Sequence, residues 1–449
     1  MTDSTHTLDA TTRSSNSTPD AETDTTRGIT AQTVQRPPVS TRYIWFLALA
    51  TFGGYIALIA PIGISLSIRV QELAPDNVEV LGYVIGSGAL IAAISSPLLG
   101  MWSDRTRTRL GRRRPFGIGG AILGLVSLGM IGGAPSLPMV VAGWMLTQLG
   151  WTAALNSLML SQADLLPEEQ RGKVSGLGAF VQMVASVTGV GIASAFIGHN
   201  HLMFLVPGVI GVALMLAWVI SVKEPSSLDM VLGPKLTVRR ALSNMVFNPA
   251  KYPDFAWNWL GRLIFMFGVT LGTTFTTLFF ASRLSTSGQV ADIGGLIVIL
   301  SLAGVVATGG GALLGGMLSD KFHRRRVLVL ASGAGFTLGA IIMALGGTSA
   351  PILIVGSIIS SLALGVFSAV NQAMVLDVLP QRDTEAGRFI GINVYSTSLA
   401  QAIAPVVAAP LLLVGMSGSD KNYTLLLLVA AACTAIGAVI VMVFVRSSK

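Results

Sequence analysis

Residues 100–116 read GMWSDRTRTRLGRRRPF and set Asp104 beside Arg105, Arg107, Arg109, Arg112, Arg113 and Arg114. Side chains of these types can make charge-assisted hydrogen bonds to carboxylates, to phosphates, or to the free carbonyls of helix ends. In a water-soluble chain such a cluster suggests phosphate or nucleic-acid recognition. Here it lies between IGSGALIAAISSPLLG and GIGGAILGLVSLGMIGG, and neither stretch carries a charge. Only Trp102 and Phe116 accompany it as aromatics, too few for the interleaved stacking of a nucleic-acid surface. The chemistry to expect is a set of acid–base contacts at the rim of an apolar layer.

A second group of chemistry-bearing residues lies inside apolar runs. Arg262, in WNWLGRLIFMFG, is the one clear ionisable residue there. Such a group is costly in lipid and is a functional candidate by default, although a long side chain near a helix end can instead snorkel to the interface. Amides and aromatics follow: Gln148, Trp151 and Asn156, then Gln182, Asn371, Gln372, Asn393 and Tyr395. An amide both donates and accepts, which suits a hydroxylated solute, and an indole can stack on a sugar ring. The same amides can instead join helices to one another. Thr273, Thr274, Thr276 and Thr277 are expected to return hydrogen bonds to their own helix. The acids lie at the ends of the runs, and Glu72 and Asp292 are the candidates for proton coupling. No H-E-x-x-H, phosphate-binding G-x-x-x-x-G-K-S/T or Ser–His pairing occurs in the runs. The chain therefore reads as neither an enzyme nor a cofactor or metal carrier.

These groups need apolar elements to position them. The 449 residues are 52% hydrophobic and 11% charged, against about 25% charged in a soluble domain. The apolar runs are about 18–25 residues long, enough to cross a hydrocarbon layer of about 30 Å. Spans are expected at about 43–67, 79–101, 116–134, 138–162, 174–197, 202–222, 255–281, 291–318, 327–346, 351–376, 389–413 and 423–445. The fold class is thus an all-α integral membrane protein of twelve transmembrane helices. Residues 1–42 are polar, without a signal-like apolar core, and are expected to be a disordered cytoplasmic tail. A bundle over 43–222, a cytoplasmic loop over 223–254 and a second bundle over 255–449 complete the division. All but four of the 29 lysines and arginines then fall on one side, the exceptions being Arg69, Arg262, Arg283 and Lys421. The positive-inside rule puts that side, with both termini, in the cytoplasm.

The string also recurs. GMWSDR at Gly100–Arg105 returns as GMLSDK at Gly316–Lys321, and Asp164-Leu-Leu-Pro returns as Asp377-Val-Leu-Pro. The offsets, 216 and 213 residues, are nearly equal, which indicates a duplicated six-helix unit. Asp104 and Asp320 each sit where a helix reaches the basic side, followed at once by a cation. Contacts among Asp104, Arg105, Arg109, Arg112, Arg113, Asp164 and Arg171, and among Asp320, Lys321, Asp377 and Arg388, are expected to form and break as helix ends meet and part. Gly100 and Gly316 would permit close approach.

At these residues the chain resembles the major facilitator superfamily, whose G-x-x-x-D-R/K signature appears after spans 2 and 8. The resemblance covers residues 43–446. Within that superfamily it is similar to the sucrose/proton symporter-like branch and its glycoside-transporting relatives. Val70-Gln71-Glu72-Leu73, Ser103-Asp104-Arg105 and Arg109-Leu110-Gly111-Arg112-Arg113-Arg114-Pro115-Phe116 carry that likeness. Ile68-Arg69 stands where the plant-type pattern has Pro-Tyr, and span 5 lacks the G-P-x-x-G-G of many drug antiporters. The resemblance implies two pseudo-symmetric bundles and alternating access. The expected cargo is a small polar solute, a sugar or glycoside, moved with protons by a monomer in the cytoplasmic membrane. Export of a drug or metabolite is the alternative.

Overall fold

The computed structural model describes residues 38–222, 224, 226–230, 246–380, 385–416 and 420–446. The expected tail up to residue 37 and positions 231–245 of the central loop lie outside the described residues.

Twelve long helical segments follow one another among the described residues. They are α1 (Thr41–Leu73), α2 (Val80–Arg105), α3 (Arg114–Gly132), α4 (Leu137–Leu165), α5 (Glu168–Ala195) and α6 (Asn200–Ser221). The second set is α7 (Pro253–Thr274, continued by Thr276–Leu284), α8 (Val290–Phe322), α9 (Arg325–Leu345), α10 (Ala350–Asp377), α11 (Ala386–Leu411) and α12 (Tyr423–Phe444). Ten are long and apolar enough to cross a bilayer, and the bent pair of α7 makes an eleventh. The remaining helix, α4, has 29 residues, about 43 Å at 1.5 Å per residue. Gln148, Asn156 and Gln162 dilute its apolarity. Several helices outrun their apolar cores: α4 extends to Leu165, where residue 162 was expected, because a helix continues into water once its backbone bonds are in place.

Local chemistry sets the ends and irregularities. Ser40 caps α1 by accepting from Tyr43 N–H at 3.2 Å, and Asn422 caps α12 by accepting from Leu425 N–H at 2.9 Å. Pro115, Pro138, Pro253 and Pro351 occupy first-turn positions, where a missing N–H costs nothing. Pro61 falls inside α1, and the chain absorbs it with a π-turn over Pro61–Ser65. The 41° bend of α7 is at Phe275. Around it Thr273, Thr274 and Thr276 return their hydroxyls to Val269, Thr270 and Gly272, whereas Thr277 donates across to Gly63 O of α1 at 2.8 Å.

The duplication is visible in the packing. In the first half α1 packs on α5 and α6, α3 on α4 and α6, and α2 on α4. Each pair has its counterpart six helices later: α7 on α11 and α12, α9 on α10 and α12, and α8 on α10. Each half is thus an open ring, ordered α5-α1-α6-α3-α4-α2 and α11-α7-α12-α9-α10-α8. The ring ends meet across the halves, α2 against α11 and α5 against α8. Glycine crossings repeat as well. A Cβ on Gly120 of α3 would lie 2.5 Å from Gly150 O of α4, and one on Gly339 of α9 would lie 2.6 Å from Gly356 O of α10. Small residues let these backbones touch, which is how helices gain contact energy where water cannot drive them together.

Candidate functional site

Arg262 lies nine residues into α7, about 13 Å from its start at 1.5 Å per residue. It does not reach back to the interface. Its Nη1 donates to Asn371 Oδ1 on α10 at 2.5 Å and its Nε to Thr397 Oγ1 on α11 at 3.2 Å. Asn371, fully buried, passes its own amide hydrogen to Asn258 Oδ1, one turn before Arg262, at 3.1 Å. The cluster joins three helices of the second half. Helices α8 and α11 are the ends of the ring, both docked on the other bundle, and the Arg262–Asn371 bond joins α7 to α10.

The basic rim carries two latches related by the repeat. In the first half the guanidinium of Arg113 is 3% exposed. It binds Asp104 at 2.6 Å, Asp164 at 2.8 Å and Ser103 Oγ at 2.9 Å. Arg112 adds a second contact to Asp164, at 2.6 Å, and stands 4.0 Å from Asp104. Burial disfavours the charge on Arg113, but the hydrogen bonds and charges of Asp164 and Asp104 outweigh it and hold the arginine more firmly protonated than usual. In the second half Arg325 takes the corresponding place, binding Asp377 at 2.5 Å and Ala373 O at 2.8 Å.

A carboxylate from beyond α6 completes the first latch. Glu224 accepts from the backbone N–H groups of Arg112, Arg113 and Arg114 at 3.1–3.3 Å. These are the unpaired donors at the start of α3, and the helix dipole favours an anion there. Gly111 beneath it has φ +90°, and a side chain at that position would run into Glu224. Ser227 ties the same segment to the α2–α3 loop, donating to Thr106 O and accepting from Thr108 N–H, both at 2.9 Å.

The opposite face is where the halves meet. Glu79, before α2, and Lys421, before α12, form a buried ion pair at 2.8 Å. Gln71 of α1 donates to Gly288 O at 2.9 Å and accepts from Val290 N–H at 3.0 Å, and Lys421 also donates to Asp76 O at 2.8 Å. Toward this face a Cβ on Gly82 of α2 would collide with the Pro405 carbonyl of α11. Thr277 of α7, donating to Gly63 O of α1 at 2.8 Å, adds a further polar contact between the halves. At the basic end, Gly172 and Gly176 of α5, Gly316 of α8 and Gly391 of α11 have open space where a Cβ would stand. The contacts on the opposite face close the two halves together there.

Comparison with known proteins fits this geometry. The family model described as Major Facilitator Superfamily matches residues 43–313 and 295–449. The chain belongs to the major facilitator superfamily. The MFS-type efflux transporter ffsH of Aspergillus flavipes is 31% identical over 130 residues, which is 28% of this chain and 22% of that relative's length. Among solved structures, a point mutant of the nucleoside transporter NupG superposes with a TM-score of 0.75 at 11% identity, covering 90% of this chain and all of that one. A bacterial homologue of the human lysosomal transporter Spinster, in an inward-facing and unoccupied conformation, gives 0.68 at 15% identity over 91% of this chain and 98% of its own. These two likenesses concern the fold.

The remaining residues singled out in the facilitator's sequence fall in several places. Gln372 is exposed beside Asn371, Tyr395 is half-buried, and Asn393 is buried with its Oδ1 unpartnered. Gln182 is exposed on α5, next to the Met183 that touches Gly309 of α8. Three of the candidates, Trp151, Asn156 and Gln148, are held within the first bundle. Trp151 is fully buried in the first bundle against Gly54, Gly124 and Gly211, because those glycines leave an indole-sized space among α1, α3, α4 and α6. Asn156 donates to Ser96 Oγ of α2 at 2.9 Å, and Gln148 is wedged at Gly88 of α2, so both serve the α2–α4 contact. Glu72 is bound to Arg69 at 2.6 Å and Asn200 at 2.8 Å, and Asp292 is bound by Ser285 and Ser287, both acids lying at helix ends on the face opposite the basic rim.

At the rim, Asp320 and Lys321 are exposed, the ammonium lying over the Phe322 ring. Gly100 has only Leu160 nearby, Arg105 is half-buried, Arg109 is exposed, and Arg388 binds Glu385 at 2.6 Å and Val246 O at 2.8 Å. The side chain of Arg171 lies outside the described residues. Sequence reasoning missed Asn258, Thr397, Glu224 and the Glu79–Lys421 pair. Asn258 had a signal, since it stands one turn from Arg262.

Proposed function

We propose that this facilitator is a secondary active transporter that carries a small polar solute by alternating access through the cytoplasmic membrane, working as a monomer with both termini in the cytoplasm. The observation that carries the reading is a pair of repeat-related bundles, joined by polar contacts on the face opposite the basic rim, with the charged cluster of Arg262, Asn371 and Thr397 inside the second. Two rigid bundles around such a cluster can rock, exposing it to each side in turn. The gating role belongs to Asp104, Arg112, Arg113 and Asp164, and to Arg325 and Asp377, which hold the rim of each bundle as a unit.

The solute is proposed to be a sugar or glycoside, moved with protons, on the strength of the Arg109–Phe116 string. Glu72 and Asp292, at the closed mouth, are the proposed proton-exchanging acids. Export of a drug or metabolite is the second reading, and the match to an efflux transporter over 130 residues favours it. Purified protein in lipid vesicles, under an imposed pH gradient, decides between them. Accumulation of a labelled saccharide that collapses when the gradient is dissipated is the expected result. Extrusion of lipophilic compounds with no saccharide flux supports the second reading, and flux of neither class overturns both.

A further inference from the structure

We propose that Arg262 binds an anionic group on the transported solute, so that the sugar-like cargo bears a carboxylate. The proposal rests on the transporter reading above and adds the charge of its substrate.

The protein leaves this cation uncompensated. Its partners, Asn371 Oδ1 and Thr397 Oγ1, are neutral, and no ion pair among the described residues includes it. The acids on the helices concerned are engaged at the rim. Asp254, eight residues earlier on α7, accepts from Arg446 N–H at 3.0 Å. Asp377, six residues after Asn371 on α10, is held by Arg325. In α1–α12 every described aspartate and glutamate lies near a helix end. An unpaired charge at this depth is destabilising, so its place there calls for a partner that the chain lacks.

The free valences point the same way. Nε and Nη1 are each fixed by a bond, which locks the guanidinium plane while Nη2 has no partner among the described residues and is not one of the buried orphan atoms. Within the same network Asn258, 0% exposed, keeps an Nδ2 with no hydrogen-bond partner. A pre-oriented guanidinium edge recognises a carboxylate with matched donors. The exposed amide of Gln372 and the cluster's hydroxyl can meet the neutral part of the same solute.

The test is binding to the purified protein, read as ligand-dependent thermal shift and as calorimetric affinity, with matched pairs that differ in charge: gluconate against sorbitol, and lactate against propane-1,2-diol. The anion of at least one pair is expected to bind more tightly than its neutral match by about tenfold or more, the worth of one charge-assisted contact. Arg262→Gln should erase that preference and Arg262→Lys should retain part of it. Equal or better binding of both neutral members to the native protein overturns the proposal. So does a preference that survives Arg262→Gln, or the absence of binding by either anion. Should Arg262→Gln fail to fold, the native comparison and Arg262→Lys still decide. Vesicles carrying the native protein separate the two levels of the argument: flux of neutral saccharides alone refutes the anion and keeps the transporter, whereas flux of nothing refutes the transporter.

Discussion

Lys421 Nζ lies 2.8 Å from a carboxylate oxygen of Glu79, with side chains 4% and 9% exposed, and the contact joins the second half of the molecule to the first. Removing one member of so buried a pair strands the other, at a cost of about 3–5 kcal/mol. That cost falls only on the conformation in which the two faces touch. Lys421→Met is therefore expected to shift the population toward the state open on this face. In a Cys433→Ser background, a cysteine placed at Gln289 should be alkylated faster by a membrane-impermeant reagent when Lys421→Met is present. The double variant Glu79→Gln with Lys421→Met should return toward the native rate. Unchanged labelling would show that the pair does not hold the face shut.

The arginine latch gives a graded expectation. Arg113 is buried and binds two acids, while the Arg112 side chain is 30% exposed. Arg113→Ala should lower stability by about 3 kcal/mol, in the range for a buried pair broken on one side. Arg112→Ala should cost about 1 kcal/mol or less, because water screens it. Since its partners raise the Arg113 pKa, the contribution is complete below the ordinary arginine value and is lost only above it. Thermal melting of both variants in detergent, at pH 6 and pH 9, checks the order. An equal effect at the two arginines would refute it.

Much of the architecture was legible because lipid imposes a simple rule: apolar runs of bilayer length must be helices, and recurring S-D-R/K and D-x-L-P strings reveal the two halves. Charge and spacing pointed to Asp104, Arg112, Arg113 and Asp164 at the first rim, but not to Arg325 as the partner of Asp377 at the second. What escaped was whatever depends on helix rotation. Trp151 and Asn156 look like sugar ligands in one dimension, yet the glycines of neighbouring helices draw the indole inward, and Ser96 takes the amide. Glu79 and Lys421 are some 340 positions apart, and no local pattern brings them together. Glu224 follows α6 as one acid among loop residues, and only the fold sets it under the start of α3.

That carboxylate is itself testable. Glu224 receives three backbone N–H groups of residues that begin α3. Glu224→Gln keeps the size but removes the charge facing the helix dipole, and Glu224→Ala removes the cap. Losses of about 0.5–1 and about 1–2 kcal/mol are expected, respectively. Chemical denaturation of the purified protein would measure them. High salt should reduce the difference between native and Gln forms, since screening weakens the charge term. A native-like Ala variant would mean that the segment after α6 does not support the latch.

The glycines of the repeated string offer a contrast between two conformations. A Cβ on Gly120 or Gly339 would meet the backbone of the neighbouring helix at 2.5–2.6 Å. Backbone cannot swing aside, so Gly120→Ala and Gly339→Ala should each cost about 1–3 kcal/mol through overpacking. Gly316 meets nothing, and Gly100 meets only Leu160 at 4.0 Å. Alanine at either position should leave melting unchanged or raise it slightly, because glycine in a helix interior is worth roughly 0.5–1 kcal/mol less than alanine. If these glycines matter for transport, they must be needed in the state where the basic ends close and helices draw together. Gly100→Ala and Gly316→Ala should then slow solute flux in vesicles while binding to the open state and thermal stability stay native. A loss of stability equal to that of Gly120→Ala would mean that the space around them is not open, and intact flux would remove the string's glycines from the gating cycle.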